Sequence, residues 1–273
     1  MRDLIQRALD EDLGAGDLTS RAVVPEGTRA SGVVVAKADG VLAGSDIAAA
    51  VFESVDRRLE VATRATDGDR VAPGDQLLDV SGDARAILAA ERVALNLLGR
   101  LSGVATLTAR YAAAVAGTGA RILDTRKTTP GMRALEKAAV LAGGGVSHRF
   151  GLYDAILVKE NHVRVAGGVG EAARRALAGA PDGVVVEVEV ESLDELDEVL
   201  EAGIGRVLLD NMDPEALRAA VARTARRAQL EASGGIDLDS VRAVAETGVD
   251  FISVGALTHS APALDVSLLF TPS

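Results

Sequence analysis

Apolar and polar positions follow two rhythms along the chain, and the change falls near residue 117. Before it the pattern is mixed. Residues 1–13 read as a helix with Leu4, Ile5, Ala8 and Leu9 on one face. Gly14-Ala-Gly-Asp-Leu-Thr-Ser20 reads as a loop. Residues 30–43 are β-like, and Ser45 and Asp46 are suited to cap a helix running to about Val55. Leu59–Ala65 and Gln76–Val80 read as strands between Gly-containing turns. Residues 83–116 are helical, with Ile87, Ala90, Ala94, Leu97, Leu98 and Leu101 on one stripe. Gly99 and Gly103 either divide that helix or let a second backbone come close. Arg92, near the apolar stripe, reads as a cation snorkelling over the helix rim. The first third is thus a small α+β unit.

After residue 117 strand-like and helix-like runs alternate at short spacing. The strands are Ala120–Asp124, Ala155–Lys159, Val184–Val190, Arg206–Asp210, Gln229–Ala232 and Phe251–Val254. Helical runs lie near Arg133–Ala142, Gly170–Ala178, Leu193–Ala202, Glu215–Arg226 and Leu238–Thr247. This order predicts a parallel sheet of largely apolar strands, and so many successive units favour a barrel or near-barrel. Polar residues gather where barrel enzymes keep their chemistry, at the C-terminal strand ends. Arg126 and Lys127 follow the first strand, and Lys159 and Glu160 the second. Glu187 and Glu189 lie in the third, and Asp210 and Asn211 end the fourth. Ser233-Gly234-Gly235 and Val254-Gly255-Ala256 follow the last two strands. Their glycines admit backbone N–H groups to phosphate oxygens, with helix starts nearby.

Composition narrows the chemistry. Hydrophobic residues make up 48% and charged residues 25% of the 273, which fits a globular protein. With no Cys there is no disulfide, thiolate nucleophile or Cys-based metal site, which is compatible with a reducing, cytoplasmic setting. The N-terminus does not read as a signal peptide, and no apolar run nears the ~18 residues of a membrane span. A net charge of −11 argues against nucleic acid as a partner. Within this acidic chain the cations Arg126, Lys127, Arg149 and Lys159 concentrate at loops and strand ends, which suits a strongly anionic small ligand. No phosphate-binding Walker loop is present, and Gly117-Thr-Gly119 precedes a strand instead of following one, which excludes a dinucleotide fingerprint. The three histidines lack ligand spacing, so no His-based zinc site is expected, and His148 beside Arg149 fits anion binding or polarisation. Glu187 and Glu189 share a strand face inside an apolar run; with Asp210 they could hold magnesium or ribose hydroxyls. The layout suits a ligand with carboxylates at one end, a sugar in the middle and phosphates at the other.

Seven segments carry a closer likeness: Asp124-Thr-Arg-Lys-Thr-Thr-Pro-Gly131, Gly143-Gly-Gly-Val-Ser-His-Arg149, Leu157-Val-Lys-Glu-Asn-His162, Glu187-Val-Glu-Val190, Leu208-Leu-Asp-Asn-Met212, Glu231-Ala-Ser-Gly-Gly-Ile236 and Val254-Gly-Ala-Leu-Thr-His-Ser260. Together with Glu11-Asp-Leu-Gly-Ala-Gly-Asp-Leu-Thr-Ser20 and Gly40-Val-Leu-Ala-Gly44, they resemble the quinolinate phosphoribosyltransferase family over essentially the whole chain. The resemblance implies an α/β fold: an incomplete parallel α/β barrel over residues 103–262 and a smaller N-terminal α/β sandwich domain over residues 1–102. The tail, 263–273, is expected to pack on the latter. It implies a cytoplasmic enzyme of NAD biosynthesis that joins quinolinate to phosphoribosyl pyrophosphate with magnesium, releasing nicotinate mononucleotide, carbon dioxide and pyrophosphate. It also implies a homodimer with shared active sites, or a higher assembly of such dimers.

By position, the resemblance puts Arg126, His148, Arg149 and Lys159 around the quinolinate carboxylates, with Thr125 beside them. Arg92 reaches the same pocket from the partner subunit, which would replace the helix-rim reading. Lys127 touches the phosphoribosyl donor. Glu189 and Asp210 take its ribose hydroxyls or magnesium, directly or through substrate, and Ser233, Gly234, Gly235, Val254, Gly255 and Ala256 hold the 5′-phosphate. Lys127, Lys159, Glu189 and Asp210 form the implied catalytic set. Two other readings stand beside this one. A paralogue of the same fold, associated with molybdenum transport operons, need not use quinolinate. A non-catalytic regulator would keep the pocket and lose turnover. The Lys159-Glu-Asn-His162 segment favours the quinolinate enzyme over the first, and the full set of cations and carboxylates speaks against the second.

Overall fold

Alternating burial along Arg29–Ala36 and Gln76–Asp83 makes these segments strands β1 and β5, which pair antiparallel at the centre of a four-stranded sheet. The structure, a computed structural model, describes residues 1–272 and divides into two compact units. The first takes Met1–Ala109, Thr129–Gly144 and the stretch from Ser260 on; the second takes Arg110–Thr128 and Gly145–His259. In the first unit α1 (Arg2–Leu13) and α2 (Leu18–Val23) precede β1. Then come β2 (Gly40–Val41), α3 (Ser45–Val55), β3 (Glu60–Thr63), β4 (Arg70–Val71), β5 and α4 (Ala84–Ala114), whose last residues pass into the second unit. Two later elements join the first unit: α5 (Arg133–Ala142) and β12 (Val266–Pro272). The sheet order is β12-β1-β5-β3, all antiparallel, with Ser31 opposite Thr271 and Ala36 opposite Val266.

Local chemistry departs from the sequence reading in three places here. The Gly14–Ser20 segment is a loop only at its start, because Asp17 accepts from the Ser20 N–H at 3.0 Å and opens α2. Ser45 and Asp46 do not cap α3. Asp67, from a distant turn, does so by accepting from the N–H groups of Gly44 at 2.8 Å and Ser45 at 3.0 Å, and from the Ser45 hydroxyl at 2.7 Å. α4 is unbroken over 31 residues, so Gly99 and Gly103 do not divide it. They admit a second backbone: a Cβ on Gly99 would sit 2.8 Å from the Leu264 carbonyl oxygen, and one on Gly103 would sit 2.0 Å from that of Pro262. The expected break between residues 102 and 103 falls inside this continuous helix. Among the described residues, no helix is long and apolar enough to cross a membrane.

The second unit is a run of parallel strands and helices. It comprises β6 (Arg121–Leu123), β7 (Ile156–Val158), α6 (Glu160–Ala166), α7 (Val169–Gly179), β8 (Val186–Val190), α8 (Leu193–Glu201), β9 (Arg206–Asp210), α9 (Pro214–Thr224), β10 (Gln229–Ser233), α10 (Val241–Ala245), β11 (Phe251–Ser253) and α11 (Ala256–His259). The sheet order is β6-β11-β10-β9-β8-β7, with every pair parallel. β6 and β7, neighbours among the strands in sequence, stand at opposite ends of that order, yet residues following both line one cavity. The sheet therefore curls into a barrel left open between β6 and β7, where Val146 forms a lone parallel bridge to Leu123. Ile122, Val188, Val207, Leu209 and Ile252 are buried. β8 is not uniformly apolar as expected of such a strand: Val186, Val188 and Val190 take one face, while Glu187, also buried, shares the other with Glu189. α6 was not foreseen. It opens where His162 Nδ1 accepts the Lys159 N–H at 2.9 Å. α10 is shorter than expected, because Asp237 and Ser240 close the preceding residues into a hydrogen-bonded turn.

Candidate active site

A cavity of about 740 Å³ opens at the C-terminal ends of the second unit's strands, a size that suits small-molecule substrates. Of the site residues that the resemblance assigns, all but Arg92 line it, whereas Glu160 and Glu187 do not. Arg92 lies in the first unit, exposed on α4.

The cations enter from β6 and β7. After β6, Thr125 Oγ1 accepts the Lys127 N–H at 3.0 Å, which folds the Arg126-Lys127 turn, and the Thr258 hydroxyl donates to the Lys127 carbonyl at 2.8 Å. Burial, with the Arg126 cation beside it, lowers the Arg149 pKa. Two guanidiniums crowded in this way gain from an anion placed between them. The Arg149 side chain also donates to the Ala155 carbonyl at 3.2 Å. Lys159 Nζ donates to Glu189 Oε2 at 2.8 Å, so it bridges the cationic side of the pocket to the acidic one.

Carboxylates come from β8 and β9. Burial, together with the charge of Glu189 nearby, raises the Asp210 pKa. Asn211 stands in the left-handed region at φ 55, and its amide donates to Asp210 Oδ2 at 2.6 Å. Gly234 has φ +101 and faces Asn211 so closely that a Cβ would lie 2.2 Å from Asn211 Oδ1, so only glycine fits there. At the last loop a Cβ on Gly255 would lie 3.0 Å from Lys127 Cδ and 3.2 Å from His259 Nε2. The helix starts expected to serve these loops belong to short helices, α10 and α11, so the loop N–H groups are the better anion donors.

From the pocket wall inward runs a charged group that spacing did not reveal. Arg206 Nε donates to Glu187 Oε1 at 3.0 Å, and its terminal nitrogen donates to Glu231 Oε2 at 2.6 Å. His148 Nε2 lies 3.1 Å from Glu187 Oε2 and 3.5 Å from Glu231 Oε1. Glu187 is therefore not paired with Glu189 in function, although both share a strand face: it is buried under the pocket and engaged on both oxygens. Ligand atoms of His148, Glu187 and Glu231 come within 4.8 Å of one another, the nearest approach to a His-containing metal cluster among the described residues, but Arg206 already occupies the carboxylates.

Two influences meet at His148. Burial disfavours its charged form, but the carboxylates of Glu187 and Glu231 outweigh burial and would pull its pKa up to about 9 were Nδ1 free to take the proton. A second proton would have to enter on Nδ1, which already accepts the Arg149 N–H at 2.7 Å. A proton on Nδ1 and a donated N–H cannot share that contact, so this geometry is the neutral ring with its hydrogen on Nε2. Sequence reasoning missed Arg206, Glu231 and His259. A cation opening the strand next to one that carries two glutamates in an apolar run was the available signal for Arg206, since buried carboxylates require a partner.

Fold and pocket define an α/β-barrel protein that binds a compact, strongly anionic ligand against cations, carboxylates and glycine-rich loops. Comparison with known proteins narrows this. The family model described as quinolinate phosphoribosyl transferase, N-terminal domain, matches residues 17–102, and that for the C-terminal domain matches residues 104–269. The nicotinate-nucleotide pyrophosphorylase [carboxylating] of Mycobacterium leprae is 47% identical, with 98% of this chain and 96% of that protein covered. A probable enzyme of the same name from Bacillus subtilis is 41% identical over 100% of this chain and 94% of that protein. The crystal structure of NadC from Streptococcus pyogenes superposes with a TM-score of 0.96 at 40% identity, covering 100% of this chain and 96% of that one. The chain belongs to the quinolinate phosphoribosyltransferase family.

Proposed function

We propose that this protein transfers the phosphoribosyl group of phosphoribosyl pyrophosphate to quinolinate, releasing pyrophosphate and carbon dioxide and leaving nicotinate mononucleotide for NAD biosynthesis. The observation that carries this reading is the gathering of Arg126, Lys127, Arg149 and Lys159 in one pocket whose remaining lining includes carboxylates and glycine loops. A dicarboxylate relieves the crowding of Arg149 by Arg126, and a phosphorylated sugar meets the remaining groups.

In the reaction the pyridine nitrogen attacks the anomeric carbon while the bond from that carbon to the pyrophosphate oxygen breaks. The ring nitrogen becomes cationic. The carboxylate on the adjacent ring carbon then leaves as carbon dioxide, its electron pair passes into the ring, and that carbon takes a proton. No side chain acts as a nucleophile, so catalysis is orientation and fixed electrostatics. Arg126 and Arg149 hold the quinolinate carboxylates, with Thr125 and the His148 ring at the wall. Lys127 faces the donor, and Lys159 spans the two substrates through its contact with Glu189. Ser233, Gly234, Gly235, Val254, Gly255 and Ala256 cradle the 5′-phosphate.

Glu189 and Asp210 fit magnesium. Both are oxygen donors at the pocket wall, and burial, with the Glu189 charge beside it, shifts the Asp210 pKa up. When bound, magnesium would neutralise charge on the departing pyrophosphate. The test supplies quinolinate, phosphoribosyl pyrophosphate and magnesium to purified protein and quantifies nicotinate mononucleotide and carbon dioxide. Equal amounts of both are expected, with turnover lost on chelation and restored by excess magnesium. Product from nicotinate instead of quinolinate, or no product from folded protein, would sink the assignment.

The site is completed by Arg92 of a second copy in a homodimer. This reading is supported by the exposure of Arg92 on α4 and by family membership. Arg92→Ala is expected to raise the KM for quinolinate about tenfold or more without changing the mass measured by sedimentation. Mixing Arg92→Ala with inactive Lys127→Ala protein should regain activity through hybrid dimers with one intact site. Failure to regain any, once subunit exchange is verified, would place Arg92 outside the active site.

A further inference from the structure

We infer that Arg206, which does not line the pocket, is a positioning residue for the Arg149 cation, acting through Glu187, Glu231 and His148. The inference rests on reading Arg149 as a ligand of the quinolinate carboxylates.

The links are four. Arg206 sits at the start of β9, far along the strand from the pocket residue Asp210 that ends it. Its guanidinium spans two buried carboxylates, bonding one oxygen of Glu187 at 3.0 Å and one of Glu231 at 2.6 Å. Its carbon lies 4.5 Å from the centroid of the Phe251 ring, which fixes the plane of the fork. The second oxygen of each carboxylate turns to His148 Nε2, at 3.1 and 3.5 Å. His148 Nδ1 accepts the backbone N–H of Arg149 at 2.7 Å, and the His148 backbone N–H is itself anchored on Asp124 Oδ1 at 2.8 Å.

Electrostatics make Arg206 the member on which the others depend. Glu187 and Glu231 lie within reach of each other in the barrel interior, and their charges are tolerable together only with a cation between them. Without Arg206 the two carboxylates would draw a second proton onto His148, the nearest group able to take it. That proton enters on Nδ1 and expels the Arg149 N–H. Arg149, already repelled by Arg126, is then no longer held at its backbone. The consequence should fall on quinolinate and spare the donor, whose contacts lie on the far wall.

The test uses full-length Arg206→Met and Arg206→Lys proteins, with Arg149→Ala as reference, and measures KM for each substrate, kcat and thermal unfolding. Arg206→Met is expected to raise the quinolinate KM about tenfold or more and to change the donor KM by less than about twofold. Arg206→Lys should recover part of the loss, since an ammonium neutralises the carboxylates but cannot fork across both. Nitrogen NMR of His148 gives a readout that loss of stability alone would not produce. The parent is expected to show a neutral ring with hydrogen on Nε2, and Arg206→Met a doubly protonated ring. A doubly protonated ring in the parent, or a normal quinolinate KM in folded Arg206→Met while Arg149→Ala is impaired, overturns the inference. So does a proportional rise of both KM values. A normal quinolinate KM in Arg149→Ala would instead defeat the underlying assignment of Arg149, and the inference with it. Where Arg206→Met fails to fold, Arg206→Gln carries the test: it keeps a hydrogen-bonding side chain between the two carboxylates and removes the cation, and an unchanged quinolinate KM there also overturns the proposal.

Discussion

Arg126→Ala is expected to lower kcat/KM for quinolinate by about two to three orders of magnitude and to leave thermal unfolding where it was. The magnitude is that of losing one charged contact in an organised site, about 2–4 kcal/mol. Arg126 is exposed in the loop after β6 and crowds Arg149, so its loss removes repulsion from the unliganded protein. The bound dicarboxylate, by contrast, loses a guanidinium that can meet it with two parallel hydrogen bonds. Steady-state kinetics with quinolinate, beside a melting curve, decide the matter. A folded variant with unchanged kinetics would remove Arg126 from the mechanism.

The second large effect is on stability. Gly103→Ala should destabilise the protein by about 2–4 kcal/mol, toward the upper end of overpacking costs. Alanine in mid-helix normally gains about 1 kcal/mol over glycine. Here the added methyl would lie 2.0 Å from the Pro262 carbonyl oxygen and 2.9 Å from its carbon, both backbone atoms that no rotamer change can move aside. The clash outweighs the propensity. Gly179→Ala, at the end of α7 with nothing within 4 Å of the new methyl, is the matched control and should be neutral or slightly stabilising. Equal melting temperatures for Gly103→Ala and the parent would show that α4 and the segment at Pro262 can part without cost.

Both predictions draw on features that the sequence exposed unequally. The parallel barrel was legible, because near-apolar runs that end at or just before Arg126, Lys159 and Asp210 recur at the spacing of βα units. The pocket cations were legible for a related reason: they sit where strands end. What the sequence could not show depends on distance across the fold. Asp67 caps α3 from another turn, so inspecting Ser45 and Asp46 pointed to the wrong residues. Glu187 and Glu189 look equivalent by period, yet one is buried against Arg206 and His148 while the other meets Lys159 at the surface of the cavity. Depth along a barrel strand decides their roles, and alternation carries no information on depth. The tail belongs to both groups. Its apolar residues invite a strand, but its pairing with β1 could be known only from the sheet. Of the tail as expected, Ser273 lies outside the described residues.

That last pairing bears on how the protein is made. β1 has β5 on one side and β12 on the other, and β12 is translated long after both. While the ribosome works through the barrel, the row of N–H and C=O groups on the far side of Val33, Val34 and Val35 has no partner. An apolar strand with a bare edge is a template for pairing with another chain. Nascent protein therefore carries a sticky edge that closes only when residues 266–272 emerge, and stop codons placed just before them should yield insoluble product even though every pocket residue has been synthesised.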